Sequence, residues 1–429
     1  MNPKKKKPIL VIGAGISGVT AAIKLQELGR EVIILSKGMG ATAMFSGSYD
    51  VASSEARLPI SKEIKKLIHK NKNHPYAKID NIFPKLDSSF RYLDKKLDLK
   101  LSKIDSNSKN MLLPTQYGTL KQTAIAEENL KSFDINGKRY GVAVFSKFKN
   151  FYHENLIENL NNLGTSTFEL INFIFLKRTN DVFYETHNFA QILDNSSVLD
   201  NLIPRMIRKA KKKKLDGVII PSILGLNNHD EIKEYLKKLD TNMELYETIS
   251  LTPSVQGMRL QKKIYKFLEN NKIKFLKDKV VNYNVKDKKI THIITKKGEE
   301  IEVSGVVLAS GKFIGGGIIQ DGNYYKESIF NLPLFVNNKK ISKTHFNSYL
   351  KNDYFQKQPV FSLGISINRN FNPLDIDNSV IYENLVAAGN ILQGYNYISG
   401  EGGMGVAIVT ATVAAEKLNR YLGELWKNI

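Results

Sequence analysis

Three glycine-centred stretches predict an α/β protein whose doubly wound parallel sheet is assembled from separated parts of the chain, with an inserted α+β cap. They are PILVIGAGISGVTAAIKLQELGREVIILSKG near the start, VVLASGKF in the third quarter, and NLVAAGNI followed by SGEGGMGVAIVTATVAAEKL near the end. Each runs from an apolar strand-like segment into glycines, and the first and last continue into an apolar helical run.

In the first stretch, Ile9 to Ile12 reads as a buried strand, Val19 to Leu28 has helical spacing, Gly29 stops the helix, and Glu31 to Leu35 reads as a second strand. Between strand and helix stands Gly13-Ala14-Gly15-Ile16-Ser17-Gly18, a GxGxxG pattern. Gly13 permits the tight turn, Gly15 lets the backbone approach a pyrophosphate, and Gly18 lets helix and strand pack closely. The helix N-terminus then offers unpaired N–H groups and the positive end of a dipole to phosphate. The acid that usually holds the ribose hydroxyls is replaced here by Ser36, followed by Lys37. One hydroxyl is within a serine's means, and Lys37 suits a phosphate, so a mononucleotide stays open beside a dinucleotide.

The next loop, SKGMGATAMFSGSYD, is made of small residues and contains Ser46 and Gly47. A small-residue loop returning over the ligand is characteristic of a flavin site rather than a nicotinamide site. ITHIITKKGEEIEVSGVVLASGKF reads as a hairpin and then a buried strand, Val306 to Ala309, ending at Ser310-Gly311. Leu385 to Ala388 is another strand, ending at Gly389-Asn390. Gly400, Gly402, Gly403 and Gly405 then precede an apolar run with no charge until Glu416. Ordering glycine is costly in entropy, so this cluster predicts a helix start built for close backbone approach. Gly402, Gly403 and Met404 join the expected cofactor-binding set, which is FAD with FMN as the alternative.

Composition removes several classes. The 429 residues include no cysteine, which excludes disulfides, thiolate nucleophiles and cysteine-ligated iron–sulfur clusters on this chain. The seven histidines show no i, i+4 zinc pair, so no metal is expected. No apolar run approaches the roughly 20 residues of a membrane helix. The basic start MNPKKKK leads into the glycine pattern with no cleavage site and reads as the approach to the first strand. The net charge of +21 is spread along the chain; its densest run, Arg205 to Lys214, reads as one helix face, and without aromatic interleaving no nucleic-acid partner is expected.

The order GAGISG, SGSYD, HPY, YGTL, PSVQGMRL, VVLASGKF and AAGNILQG…GEGGMGVAIVTA resembles the B-type subunit of anaerobic glycerol-3-phosphate dehydrogenase, in register over most of the chain. Several of these blocks are shared with the wider fumarate-reductase-like flavoprotein class. The resemblance implies a Rossmann-like FAD-binding domain in a complex that oxidises glycerol 3-phosphate to dihydroxyacetone phosphate and passes electrons to quinone and anaerobic acceptors. It also implies two partners, a flavoprotein dehydrogenase subunit and an iron–sulfur, membrane-associated subunit, and a cytoplasmic chain peripheral to the membrane through a partner. The family's association with flavin mononucleotide keeps FMN open. A non-catalytic electron-transfer subunit, and a related fumarate-reductase-type or hydroxy-acid oxidoreductase, are the alternatives.

The expected segments are 1–90, 250–320 and 376–429 for the flavin domain, 91–249 for the cap and 321–375 for a smaller insertion. Ser254 is expected to cap a helix of the flavin domain. Oxidation of an alcohol phosphate needs a proton acceptor and a cation for the phosphate. Arg259 is the candidate anion site because a forked guanidinium matches phosphate. His74 is the candidate base, His345 a weaker one, Glu401 a candidate for orienting substrate, and Lys312 for stabilising reduced flavin.

Overall fold

The computed structural model describes residues 7–53, 58–128, 130, 132, 134–173, 183–239, 243–336, 339–341 and 345–427. Residues 1–6, most of the basic approach to the first strand, lie outside these. Five short strands form the central sheet: β1 (Ile9–Ile12), β2 (Val32–Ser36), β3 (Lys274–Lys277), β4 (Gly305–Leu308) and β5 (Leu385–Ala387). Their order is β3-β2-β1-β4-β5 and every pairing is parallel. β1 and β4 are buried along their whole length, which is why they read as unbroken apolar runs rather than as alternating strands.

Three helices matter for the site: α1 (Ile16–Glu27), α2 (Val255–Asn270) and α3 (Gly403–Lys427). α1 packs against α3, where Ser17 meets Ala407. A Cβ on Gly18 would lie 1.8 Å from the carbonyl oxygen of Gly13, so this glycine does set the helix-to-strand spacing. α2 starts as expected: Ser254 Oγ accepts from the Gly257 N–H at 3.0 Å. The same hydroxyl donates to the Phe45 carbonyl. A Cβ on Gly257 would lie 2.3 Å from the Ala43 oxygen, so α2 is pressed against the small-residue loop and holds it in place. The core of this layer takes in Val11, Ile34, Leu86, Leu93, Leu260, Val307 and Val409, each fully buried and worth roughly 1.5–3 kcal/mol.

A second sheet carries its own core. Arg139–Phe145 lies between Thr167–Phe173 and Gly217–Ile220, with Glu244–Glu247 outside the latter, all parallel. The helix Ser196–Lys212 buries Leu202, Ile203, Met206 and Ala210 against it and turns the lysine-rich run outward. The expected hairpin is present as Lys289–Thr295 paired antiparallel with Glu300–Glu302. Among the described residues, no helix is long and apolar enough to cross a membrane.

Candidate cofactor and active site

A cavity of about 760 Å³ opens where the C-terminal ends of β1, β2 and β4 meet the starts of α1 and α3, the usual place for a ligand in an open parallel sheet. Among the expected cofactor residues, Gly13, Ala14, Gly15, Ser17, Ser36, Lys37, Ser46, Ser310, Gly311, Asn390, Gly403 and Met404 all line it. Gly18, Gly47, Gly389 and Gly402 do not line it and stand behind the wall as spacers. A Cβ on Gly389 would come within 2.1 Å of Ser17 Oγ, and one on Gly47 within 2.2 Å of Leu130 Cδ1.

The start of α1 is arranged for an anion. Gly13 sits at φ +112°, where a side chain is strained, and packs on the Ala309 carbonyl. Gly15 takes the N-cap position without a side-chain cap of its own. Thr42, from the small-residue loop, instead accepts the Ile16 N–H at 2.8 Å and lines the cavity beside it. Ser36 is turned inward on itself: its hydroxyl donates to the Gly38 carbonyl at 2.7 Å and accepts the Gly38 N–H at 3.2 Å. The serine therefore shapes the turn after β2. Next to the Gly13 loop, Ser310 Oγ is buried without a hydrogen-bond partner, and Asn390 Oδ1 accepts from the Tyr395 hydroxyl at 3.0 Å. A cavity of this size walled by two adjoining helix starts, with an orphaned hydroxyl at the strand tip, fits a dinucleotide, whose polar groups are spread along its length.

The structure corrects the expected catalytic set. Arg259 does not reach the cavity. It is buried, forks onto Glu247 at 2.9 and 3.1 Å, and donates from Nε to the Gly225 carbonyl at 2.8 Å. It joins α2 to the second sheet, with its charge paired to Glu247 and its side chain away from the cavity. His74 is also buried outside the cavity, with Nε2 3.0 Å from the Glu401 carbonyl and Nδ1 accepting from the Tyr76 N–H. Burial pulls its pKa down to about 4, so it is a neutral structural imidazole. The Glu401 carboxylate accepts from the Asn396 N–H at 2.6 Å and pairs with Lys357, away from the cavity lining. His345 is exposed and caps a short turn by accepting from the Asn347 N–H.

Lys312 is placed differently. It is fully enclosed, lines the cavity, and donates to the Phe361 carbonyl at 2.7 Å. Its ammonium lies 5.0 Å from the centre of the Tyr395 ring and 5.9 Å from that of Tyr397. Burial lowers its pKa to about 7, with Glu401 pulling the other way. Two further lining residues were not among those expected, Asp50 and Lys121, which form an ion pair at 2.9 Å. Asp50 closes the SGSYD block and Lys121 follows YGTL; nothing in their spacing signals that they meet.

The FAD binding domain family matches residues 8–406. The B-type subunit of anaerobic glycerol-3-phosphate dehydrogenase from Pasteurella multocida is 28% identical over 96% of this chain and 98% of its own length. The protein of the same name from Mannheimia succiniciproducens is 28% identical over 96% and 97%. Among solved structures, the open conformation of a flavocytochrome c3 fumarate reductase matches 98% of this chain and 79% of its own, at 11% identity and a TM-score of 0.45. The chain belongs to the FAD-binding domain family and is a flavoprotein oxidoreductase whose cofactor is FAD.

Proposed function

We propose that this chain is the FAD-carrying B-type subunit of a complex that oxidises glycerol 3-phosphate to dihydroxyacetone phosphate and delivers the electrons to quinone and anaerobic acceptors. The observation that carries this reading is the cavity in which the phosphate-loop end of α1, the start of α3 and Lys121 of the 91–249 segment converge. It is supported by relatives of that name that align over 96% of the chain. FAD would be held by Gly13 to Ser17, Thr42, Ser310, Gly311, Asn390 and the first turn of α3, and would supply two-electron acceptor chemistry. The enclosed Lys312 would place a cation against the negative charge that builds up on reduction. Segments 1–90, 250–320 and 376–429 would form the flavin unit, 91–249 the cap and 321–375 a lesser insertion. The partners would be a second flavoprotein dehydrogenase subunit and an iron–sulfur subunit that brings the complex to the membrane.

A second reading, an electron-relay subunit that never handles substrate, is favoured by one observation: among the described residues that line the cavity there is neither histidine nor arginine. The experiment is anaerobic mixing of the reconstituted complex with glycerol 3-phosphate while the absorbance of FAD on this chain is followed, with the partner dehydrogenase subunit inactivated by mutation. Bleaching supports a substrate-handling chain. FAD that stays oxidised until the partner is active supports the relay.

A further inference from the structure

The cavity contains an ion pair that reaches across from the inserted segment. Lys121 lies on the strand Leu120–Thr123, paired with Met111–Pro114. Its ammonium meets Asp50 Oδ2 at 2.9 Å. Asp50 is anchored from behind, because its backbone carbonyl accepts the Gly405 N–H at 2.8 Å and so ties it to the first turn of α3. Its other carboxylate oxygen, Oδ1, is buried without a hydrogen-bond partner; the Thr123 hydroxyl, which lies close enough to favour the ionised carboxylate, directs its own proton to the Ile125 carbonyl at 3.1 Å. A buried carboxylate oxygen without a donor is costly and is rarely left so without a use.

The two partners differ in freedom. The Asp50 side chain is only 16% exposed, whereas that of Lys121 is 35% exposed and projects from the inserted segment. A phosphate dianion entering beside them would compete with one carboxylate for the ammonium and carries more charge. The other described lining cations are Lys37 beside the α1 loop, Lys279 after β3, and Lys312, which is bonded to Phe361. Among the described residues, Lys121 is the lining cation whose partner is an anion of the same cavity.

We propose that Asp50 and Lys121 handle the substrate: Lys121 leaves Asp50 to take the phosphate of a small phosphomonoester, and Asp50 then accepts the proton of its secondary hydroxyl. This rests on the function proposed above. The O–H bond would break with its proton going to Asp50 Oδ2, the oxygen that Lys121 vacates, the carbon-bound hydrogen would leave with its electron pair to oxidised FAD, and a C=O bond would form. Both charges are used in turn: the pair holds the carboxylate ionised in the resting protein, and its opening frees that carboxylate next to the bound alcohol. Burial already raises the pKa of Asp50 from its ordinary value, against the pull of Lys121 and of the Thr123 hydroxyl, which suits a proton acceptor.

The test uses the assembled, FAD-loaded complex carrying wild type, Lys121→Met, Lys121→Arg, Asp50→Asn or Asp50→Glu, with FAD content as the check on folding. Dissociation constants for sn-glycerol 3-phosphate and dihydroxyacetone phosphate are read from perturbation of the flavin spectrum and from protein fluorescence. FAD reduction on this chain is read by stopped flow. Lys121→Met is expected to weaken both ligands about tenfold or more, and Lys121→Arg to restore them. Asp50→Asn is expected to slow FAD reduction about 100-fold or more while binding the ligands at least as tightly, since the competing charge is gone. Asp50→Glu should recover part of the rate. If wild type neither binds nor is reduced by the substrate, the proposed function falls. If wild type does both and the variants match it, or if Asp50→Asn loses ligand affinity together with Lys121→Met, the function stands and the assignment of this pair is overturned.

Discussion

Ser17 Oγ, in the first turn of α1, donates a 2.7 Å hydrogen bond to the carbonyl of Ala407, in the first turn of α3. It locks together two helix starts that lie at opposite ends of the sequence and face one cavity. Ser17→Ala should cost about 1 kcal/mol of stability and weaken FAD binding several-fold. Gly389→Ala should do more, since its Cβ would fall 2.1 Å from that same oxygen at a φ of +76°. Titrating the apoprotein with FAD under quenching of flavin fluorescence ranks the two.

Glycines in the terminal cluster are not equivalent. A Cβ on Gly405 would lie 2.3 Å from the Tyr76 hydroxyl and 2.9 Å from Val51 Cα, and the Tyr76 hydroxyl is already committed to the Val51 carbonyl. At Gly403 the nearest atom would be Tyr397 Cβ, at 3.7 Å. Gly405→Ala should displace the start of α3 and lower FAD content sharply, whereas Gly403→Ala should keep the apoprotein fold. Thermal melts of the two apoproteins show the difference.

Arg259 and Glu247 form a buried fork with both side chains almost fully enclosed. Arg259→Met strands a buried carboxylate, and about 3–5 kcal/mol of stability should be lost. Pairing it with Glu247→Leu should recover much of that. The FAD spectrum of the surviving folded protein should be unchanged, because neither residue lines the cavity. Denaturant unfolding of the single and double variants measures this coupling.

His74 makes the fold acid-sensitive. Its folded pKa is about 4 against an ordinary 6.5. Between these values the unfolded chain takes a proton that the folded chain refuses. The neutral imidazole therefore contributes stability that is fully present above pH 6.5 and is lost as pH falls toward 4. The amount is of order 3 kcal/mol. His74→Gln should flatten the stability profile over that window, as read from urea midpoints at pH 7, 5.5 and 4.5.

The parts of the fold legible in sequence are those whose local pattern has one structural solution. β1 with its GxGxxG loop, the hairpin before β4, the Ser254 cap and the glycine start of α3 all belong to that class. Long-range pairing is not legible in the same way. Arg259 carries a phosphate-like signature in isolation, and only the fold shows that Glu247 answers it from the second sheet. His74 has the residue type of a base, but its burial comes from Tyr76, Tyr395 and the Glu401 backbone packing around it. Asp50 and Lys121 are ordinary residues of a loop and of a separate strand, brought together where Ser48–Tyr49 pairs with Ile125–Ala126. Ser36 stands where a ribose ligand is expected, yet its hydroxyl is engaged in the turn to Gly38.

One cavity, built from both ends of the chain, holds FAD as a dinucleotide. The most direct test is to purify the protein, denature it, and identify and count the released flavin by chromatography, after reconstitution if the preparation is colourless. One FAD for each chain is expected. Release of FMN, or a protein that takes up no flavin at all, would contradict it.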